Sequence, residues 1–240
     1  DFDGSVAVQA RQSLEETNWL LQLADEHPHI KGVVGWVDLQ SEQAEEQIAA
    51  FAKHAKAVGV RHVIHDEEDI DFILRPEFIR GVKLLEKYNL AYDILIFPKH
   101  LNNAIEFVKQ FSEKQIFVLD HIAKPNIKEG ILSPWNEEIK ALAKFPNVYC
   151  KVSGMVTEAD WNNWNPENIR PYLDVVMEAF GPKRLMIGSD WPVCLVAGKY
   201  GKVMQLVLDY ISTFTDKEQA MILGENAAKA YGIPLTPKGE

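Results

Sequence analysis

Arg184-Leu-Met-Ile-Gly-Ser-Asp-Trp-Pro192 is the stretch on which the fold turns. Leu185, Met186 and Ile187 make a short apolar run, and the residues from Gly188 to Pro192 are of the kind that end a hydrogen-bonded ladder. The pattern predicts a buried strand from Arg184 to Ser189 that delivers a carboxylate, Asp190, to its carboxyl end. Asp190 is therefore the first candidate for chemistry.

Reading outward from that strand, the same unit recurs. Upstream, Asn165-Pro166 opens a helix with Ile169, Leu173, Val176 and Phe180 at helical spacing and a stop at Gly181. Before it lie a strand from Val148 to Ser153, a helix begun by Ser133-Pro134 with Trp135, Ile139 and Leu142, and a strand from Ile116 to His121. Leu101, Ala104, Ile105, Val108 and Phe111 mark another helix, preceded by the strand Leu90 to Ile96. Pro76 suits a first helical turn and Asn89 a left-handed stop. Val58 to Ile64 and Gly32 to Leu39 are strands separated by a helix opened by Ser41, and Ser13-Leu-Glu-Glu16 has the capping-box pattern of a helix that follows the strand Ser5 to Ala10. Downstream, helices run from about Val203 to Phe214 and onward from the Thr215-to-Glu218 capping pattern.

Strands alternating with helices, mostly without internal polar alternation, call for a parallel sheet covered by helices. No Gly-rich phosphate loop follows any strand, which argues against a doubly wound nucleotide fold and against a nucleotide or flavin cofactor. Polar residues instead collect after nearly every strand, as in an α/β barrel of the TIM (β/α)8 type. Seven strands are counted and the chain begins mid-pattern at Asp1, so the first βα unit is expected to be absent from residues 1–240, read as one N-terminally incomplete barrel domain.

The balance of charges narrows the partners. A net charge of -10 with no Lys/Arg-rich run lacks the electrostatic footprint of nucleic-acid binding. No run approaches the about 18 apolar residues of a membrane span. Two widely spaced cysteines, Cys150 and Cys194, make neither a disulfide framework nor a zinc knuckle, and point to a reducing, cytoplasmic setting. The expected partner is a small molecule, with homo-oligomer formation left open.

The strand ends supply Gln9, Arg11 and Gln12; Trp36 and Asp38; Arg61, His62 and His65; Tyr92 and Asp93; Asp120, His121 and Lys124; Lys151 and Ser153; and Ser189, Asp190 and Trp191. Any one of these taken alone is more often a satisfied structural group. Together they offer two acid-base candidates, His121 and Asp190, several cations able to orient a carbonyl or anionic oxygen, and no second nucleophile with an obvious base, a set that suits activation of water. His27-Pro28-His29 resembles a metal pair but joins a helix to a strand, on the barrel face opposite an active site. His54 and His100, in helical contexts, are expected at the surface. Ser189 lacks a Gly-x-Ser-x-Gly elbow. Trp161 and Trp164 could line a sugar-like substrate or simply pack a loop.

Four blocks also carry a resemblance: Val118-Leu-Asp-His-Ile-Ala-Lys-Pro125, Asn147-Val-Tyr-Cys-Lys-Val-Ser-Gly154 with Glu158-Ala159, Ile187-Gly-Ser-Asp-Trp-Pro-Val-Cys194, and Asn226-Ala-Ala-Lys-Ala-Tyr231. With Gly32 to Leu39 and Gly59-Val-Arg-His62 they resemble the lactone-hydrolysing branch of the amidohydrolase superfamily. That branch holds sugar lactonases of the fuconolactonase and rhamnonolactonase type and, as relatives, 2-pyrone-4,6-dicarboxylate lactonases. The resemblance implies a barrel hydrolase that opens a sugar-acid lactone, with Asp190 as general base and His121 binding a metal or the substrate carbonyl. It further implies Arg61, His65, Asp93, Lys151 and Trp191 as substrate-binding residues, and His121 and Asp190 as ligands of a divalent metal, zinc first, in those members that use one. The branch has a His-x-His pair at the end of its first strand, and this sequence has none there. Decarboxylation of an unsaturated or aromatic acid, or a catalytically inactive binding barrel, are the alternatives.

Overall fold

The computed structural model describes residues 2–235. Seven parallel strands pair strictly with their sequence neighbours: β1 (Ser5–Val8), β2 (Ile30–Gly35), β3 (Ala57–Val63), β4 (Ala91–Leu95), β5 (Phe117–Leu119), β6 (Val148–Val152) and β7 (Leu185–Ile187). Helices α1 (Leu14–Glu26), α2 (Ala44–Ala52), α3 (Pro76–Leu85), α4 (Leu101–Val108), α5 (Trp135–Leu142) and α6 (Pro166–Phe180) connect them in turn. After β7 come α7 (Tyr200–Ile211), α8 (Asp216–Ala220), a π-helical turn over Met221–Glu225 and α9 (Asn226–Ala230). This is a TIM-type barrel one βα unit short of eight. Among the described residues β1 and β7 are each paired on one side only.

Helix boundaries follow local chemistry. Ser13 caps α1 by accepting from the Glu16 amide, but Glu16 does not close the expected box: its carboxylate accepts from the amides of Ala10 and Arg11, tying the end of β1 to the helix. Asn165 and Asn168 cap α6 reciprocally, as do Thr215 and Glu218 at α8. Asn89 adopts the left-handed stop with φ 54°. Ser41 lies three residues ahead of α2, bonding the Gln43 amide from the preceding turn.

Alternate strand residues face two different cores, as the pleat requires. One layer, between sheet and helices, gathers Val60, Tyr92, Ile94, Phe117, Leu119, Val148, Cys150 and Leu185 with helix residues such as Phe78 and Phe107. The other lies inside the curled sheet and holds Val34, Val58, Ala91, Val118, Tyr149 and Met186, closed by Ala230 of α9 and Tyr231 just after it. Three further sequence readings need correction, the first being the second strand, which ends at Gly35 rather than Leu39. The fifth strand stops at Leu119 rather than His121, because the backbone turns left-handed there. His100 is fully buried rather than at the surface, its Nδ1 tied to the Phe97 backbone that leads into α4.

Candidate active site

The inward residues above the apolar floor are charged. Arg61 stands beside Asp93 in the β3–β4 register, Lys151 projects from β6, and Asp120 follows β5. Lys151 Nζ lies 2.5 Å from Asp93 and 2.7 Å from Asp120, and Arg61 lies 2.7 Å from the other Asp120 oxygen. Tyr231 donates its hydroxyl to Asp93 at 2.8 Å, and Arg61 also donates to the Gln9 backbone. Two cations thus answer two carboxylates; the carboxylates have no exposed surface, and the Arg61 and Lys151 side chains keep 11% of theirs. Burial raises the Asp93 carboxyl. Burial would raise Asp120 as well, but Lys151, Arg61 and His121 together hold it below the usual carboxylate range. Lys151 stays charged, its desolvation outweighed by Asp120 and Asp93.

His121 and Asp190 sit past the ends of β5 and β7, where the arrangement changes. His121 Nε2 lies 3.5 Å from Asp190 Oδ1, and each side chain keeps 11% of its surface exposed. His121 Nδ1 is 2.8 Å from Ser153 Oγ. Asp190 Oδ2 is buried with no hydrogen-bond partner. Burial is the main reason that the Asp190 carboxyl is pushed up to about 6, with Lys124 and Arg61 opposing, and that His121 is pushed down to about 3 and stays neutral near pH 7.

The backbone that presents these two groups is strained. Asp190 has φ 54°, and His121, Ile122, Ala123 and Lys124 form four consecutive residues with φ between 48° and 60°. A left-handed conformation costs about 1–2 kcal/mol per residue with a Cβ, so the surroundings must hold it. The Lys124 amide donates to His121 O at 2.8 Å, and the indole of Trp135 donates to Ile122 O at 2.9 Å. Gly154 leaves the room: a Cβ there would sit 2.7 Å from the His121 Cβ.

The other candidates fall into three positions. Arg61, Asp93 and Lys151 belong to the buried charge layer, Asp93 having no exposed surface at all. His65 is half-buried at the end of β3, 4.7 Å from the Phe97 ring, with its Nδ1 2.8 Å from Asp66. Trp191 is an exposed rim residue. His62 turns outward and stacks on Phe72. Trp164 is buried with its indole bonded to Ala197 O, whereas Trp161 is exposed, and His27 and His29 are exposed on the opposite face. Glu158 was not among the expected site residues, yet it pairs with Lys124 at 3.1 Å and its charge acts on Asp190. Its signals in the sequence were its place five residues past a strand-end serine and its part in one of the blocks that carry the family resemblance.

This chain belongs to the amidohydrolase family, which it matches over residues 1–233. It is 39% identical to an L-fucono-1,5-lactonase of Burkholderia multivorans over 241 aligned positions, spanning 96% of this chain and 81% of that protein. A crystal structure of an amidohydrolase from Burkholderia multivorans, described with bound zinc, superposes with a TM-score of 0.92 at 39% identity, over 97% of this chain and 84% of that one. A probable 2-pyrone-4,6-dicarboxylic acid hydrolase from Acinetobacter baumannii shares the fold, with a TM-score of 0.79 at 21% identity over 97% of this chain and 84% of the other.

A divalent ion fits the described residues in part. The neutral His121 imidazole and the Asp190 carboxylate converge, and the unpartnered Oδ2 is a donor in need of a cation. Counted over both layers, Arg61, Lys151 and Lys124 face Asp93, Asp120, Glu158 and Asp190, leaving Asp190 without a counter-charge. Among the described residues no group of three or more His, Cys, Asp or Glu side chains is placed to hold a metal; His121 and Asp190 are the two that could share one.

Proposed function

We propose that this protein is a lactonase that hydrolyses a sugar-acid lactone, with L-fucono-1,5-lactone as the first substrate to test. The observation that carries the reading is Asp190: a carboxylate at the strand ends, mostly buried, unpartnered at Oδ2, raised to about 6 and 3.5 Å from a neutral histidine. A general base works best when its pKa lies near the working pH. Its likeness to the Burkholderia lactonase supports the choice of reaction.

In this mechanism Asp190 takes a proton from a water molecule, the resulting hydroxide adds to the lactone carbonyl, and the same carboxyl returns the proton to the departing ring oxygen. His121 and Asp190 would hold a divalent ion, which when bound polarises the carbonyl and lowers the pKa of water. For Nε2 to present a lone pair, the His121 proton sits on Nδ1 and is donated to Ser153 Oγ, a bond that also orients the ring. Arg61 and Lys151 keep Asp120 ionised beneath His121, and His65 and Trp191 border the opening. The free, buried thiols of Cys150 and Cys194 support a cytoplasmic setting.

The test is acid release from L-fucono-1,5-lactone by the full chain, followed with a pH indicator, beside carbon dioxide release from an aromatic acid. Lactone opening that is absent from Asp190→Asn protein supports the reading. Carbon dioxide release, or neither reaction, overturns it.

A further inference from the structure

Lys124 and Glu158 have no task in that mechanism, yet the fold goes to some length to place them. Lys124 ends the left-handed turn that begins at His121. Its Nζ is 3.1 Å from Glu158 Oε1 and 5.7 Å from the centre of the Phe97 ring, whose other neighbour is His65. Glu158 is fixed through its backbone, donating to Met155 O and accepting from the Lys128 amide. The two side chains are 14% and 21% exposed, so the pair is neither a solvated surface bridge nor sealed in the core. Lys124 shares its left-handed turn with His121, and Glu158 follows Ser153, whose hydroxyl meets the His121 ring, by five residues, which sets the pair beside the reacting groups.

An ordinary surface ion pair adds little to stability and needs no strained backbone to hold it. A preorganised ammonium and carboxylate side by side present a donor next to an acceptor, in a site where hydrogen bonds to charged groups are strong. We propose that the Lys124–Glu158 pair is a substrate-recognition subsite that reads two neighbouring hydroxyls of a polyhydroxylated ring, Glu158 accepting from one and Lys124 donating to the other. This inference rests on the lactonase reading and deepens it: the pair selects sugar lactones over lactones without hydroxyls. A lactone without those hydroxyls leaves the two groups bonded only to each other and gains none of the charge-assisted hydrogen bonds that a sugar lactone makes with them.

The experiment compares kcat/KM for L-fucono-1,5-lactone and for unsubstituted δ-valerolactone in the full-chain wild type, Lys124→Met, Lys124→Arg and Glu158→Gln. The expected result is a fall of about 10- to 100-fold in the preference for the sugar lactone in Lys124→Met and in Glu158→Gln, the size of one lost hydrogen bond to a charged group. Lys124→Arg, which keeps a donor, should recover part of it. Thermal midpoints and circular dichroism check that each variant is folded. An unchanged preference, with both lactones slowed equally or not at all, overturns the proposal. If the wild type opens neither lactone the lactonase reading falls, and calorimetry with 1,5-anhydro-L-fucitol, which keeps the ring and its hydroxyls but has no lactone carbonyl, decides the subsite: wild-type binding that Glu158→Gln loses sustains it, and no wild-type binding overturns it.

Discussion

Asp120 and Asp190 follow neighbouring parts of the same curled sheet, and their surroundings treat them oppositely. Asp120 is fully buried between Lys151 and Arg61 and is held ionised below the usual range. Asp190 has a histidine that stays neutral, an oxygen with no partner and a carboxyl raised to about 6. Burial acts on both, and the difference is whether a cation answers it. The lower layer is therefore built for permanence, since its two carboxylates are wholly buried and each meets a cation. The upper pair is built to change its proton or its ligand.

That contrast breaks most sharply at Asp190. Asp190→Asn should slow lactone hydrolysis by about 10² to 10⁴, the usual contribution of a general base, while leaving the thermal midpoint near that of the wild type. Steady-state rates beside a melting curve check both halves, and a large loss of stability would place Asp190 with the structural layer. Lys151→Met should do the reverse in kind. It strands Asp93 and Asp120 against Arg61 alone, and removing one partner of a buried ion pair costs about 3–5 kcal/mol, measurable by urea unfolding. A stable Lys151→Met protein would mean that the lower carboxylates are protonated or wet. Tyr231→Phe keeps the ring and removes one hydrogen bond to a charged acceptor, so the loss should be about 1.5–3 kcal/mol. The pH dependence sharpens the picture at the smallest scale. The base form of Asp190 exists above its pKa of about 6, so kcat/KM should be flat above that pH and fall about tenfold for each unit below it. A profile with no acid limb between pH 4 and 7 would remove Asp190 as the titrating base.

How much of this the sequence disclosed depended on whether the cause was local. The strand-helix alternation, the caps at Ser13, Asn165 and Thr215, the stop at Asn89 and the strand that leads to Asp190 all come from short-range chemistry that residue types announce. The grouping of Arg61, Asp93, Asp120 and Lys151 did not, because it joins residues on three strands and one just past a fourth, through side chains that alternate with apolar ones. Asp93 read as a mouth residue for the same reason it is an inner one: both faces of β4 are buried, so no polar alternation tells depth. The left-handed turn at His121 to Lys124 had no signal either. Ile122 and Ala123 are not residues that favour that conformation, and what imposes it, the indole of Trp135 and the gap at Gly154, comes from elsewhere in the chain.

The bond between Tyr231 and Asp93 has a consequence for the newborn chain. Its two ends are 138 residues apart, so the carboxylate leaves the ribosome long before the hydroxyl that will meet it. At about 5–20 residues per second, that interval is roughly 7 to 28 seconds. Through it the half-made sheet carries Asp93 with an incomplete set of partners and an uncovered floor, and the barrel can finish its interior only when α9 arrives. Tyr231, just past α9, is thus the closing step for a layer whose other named members were made before it.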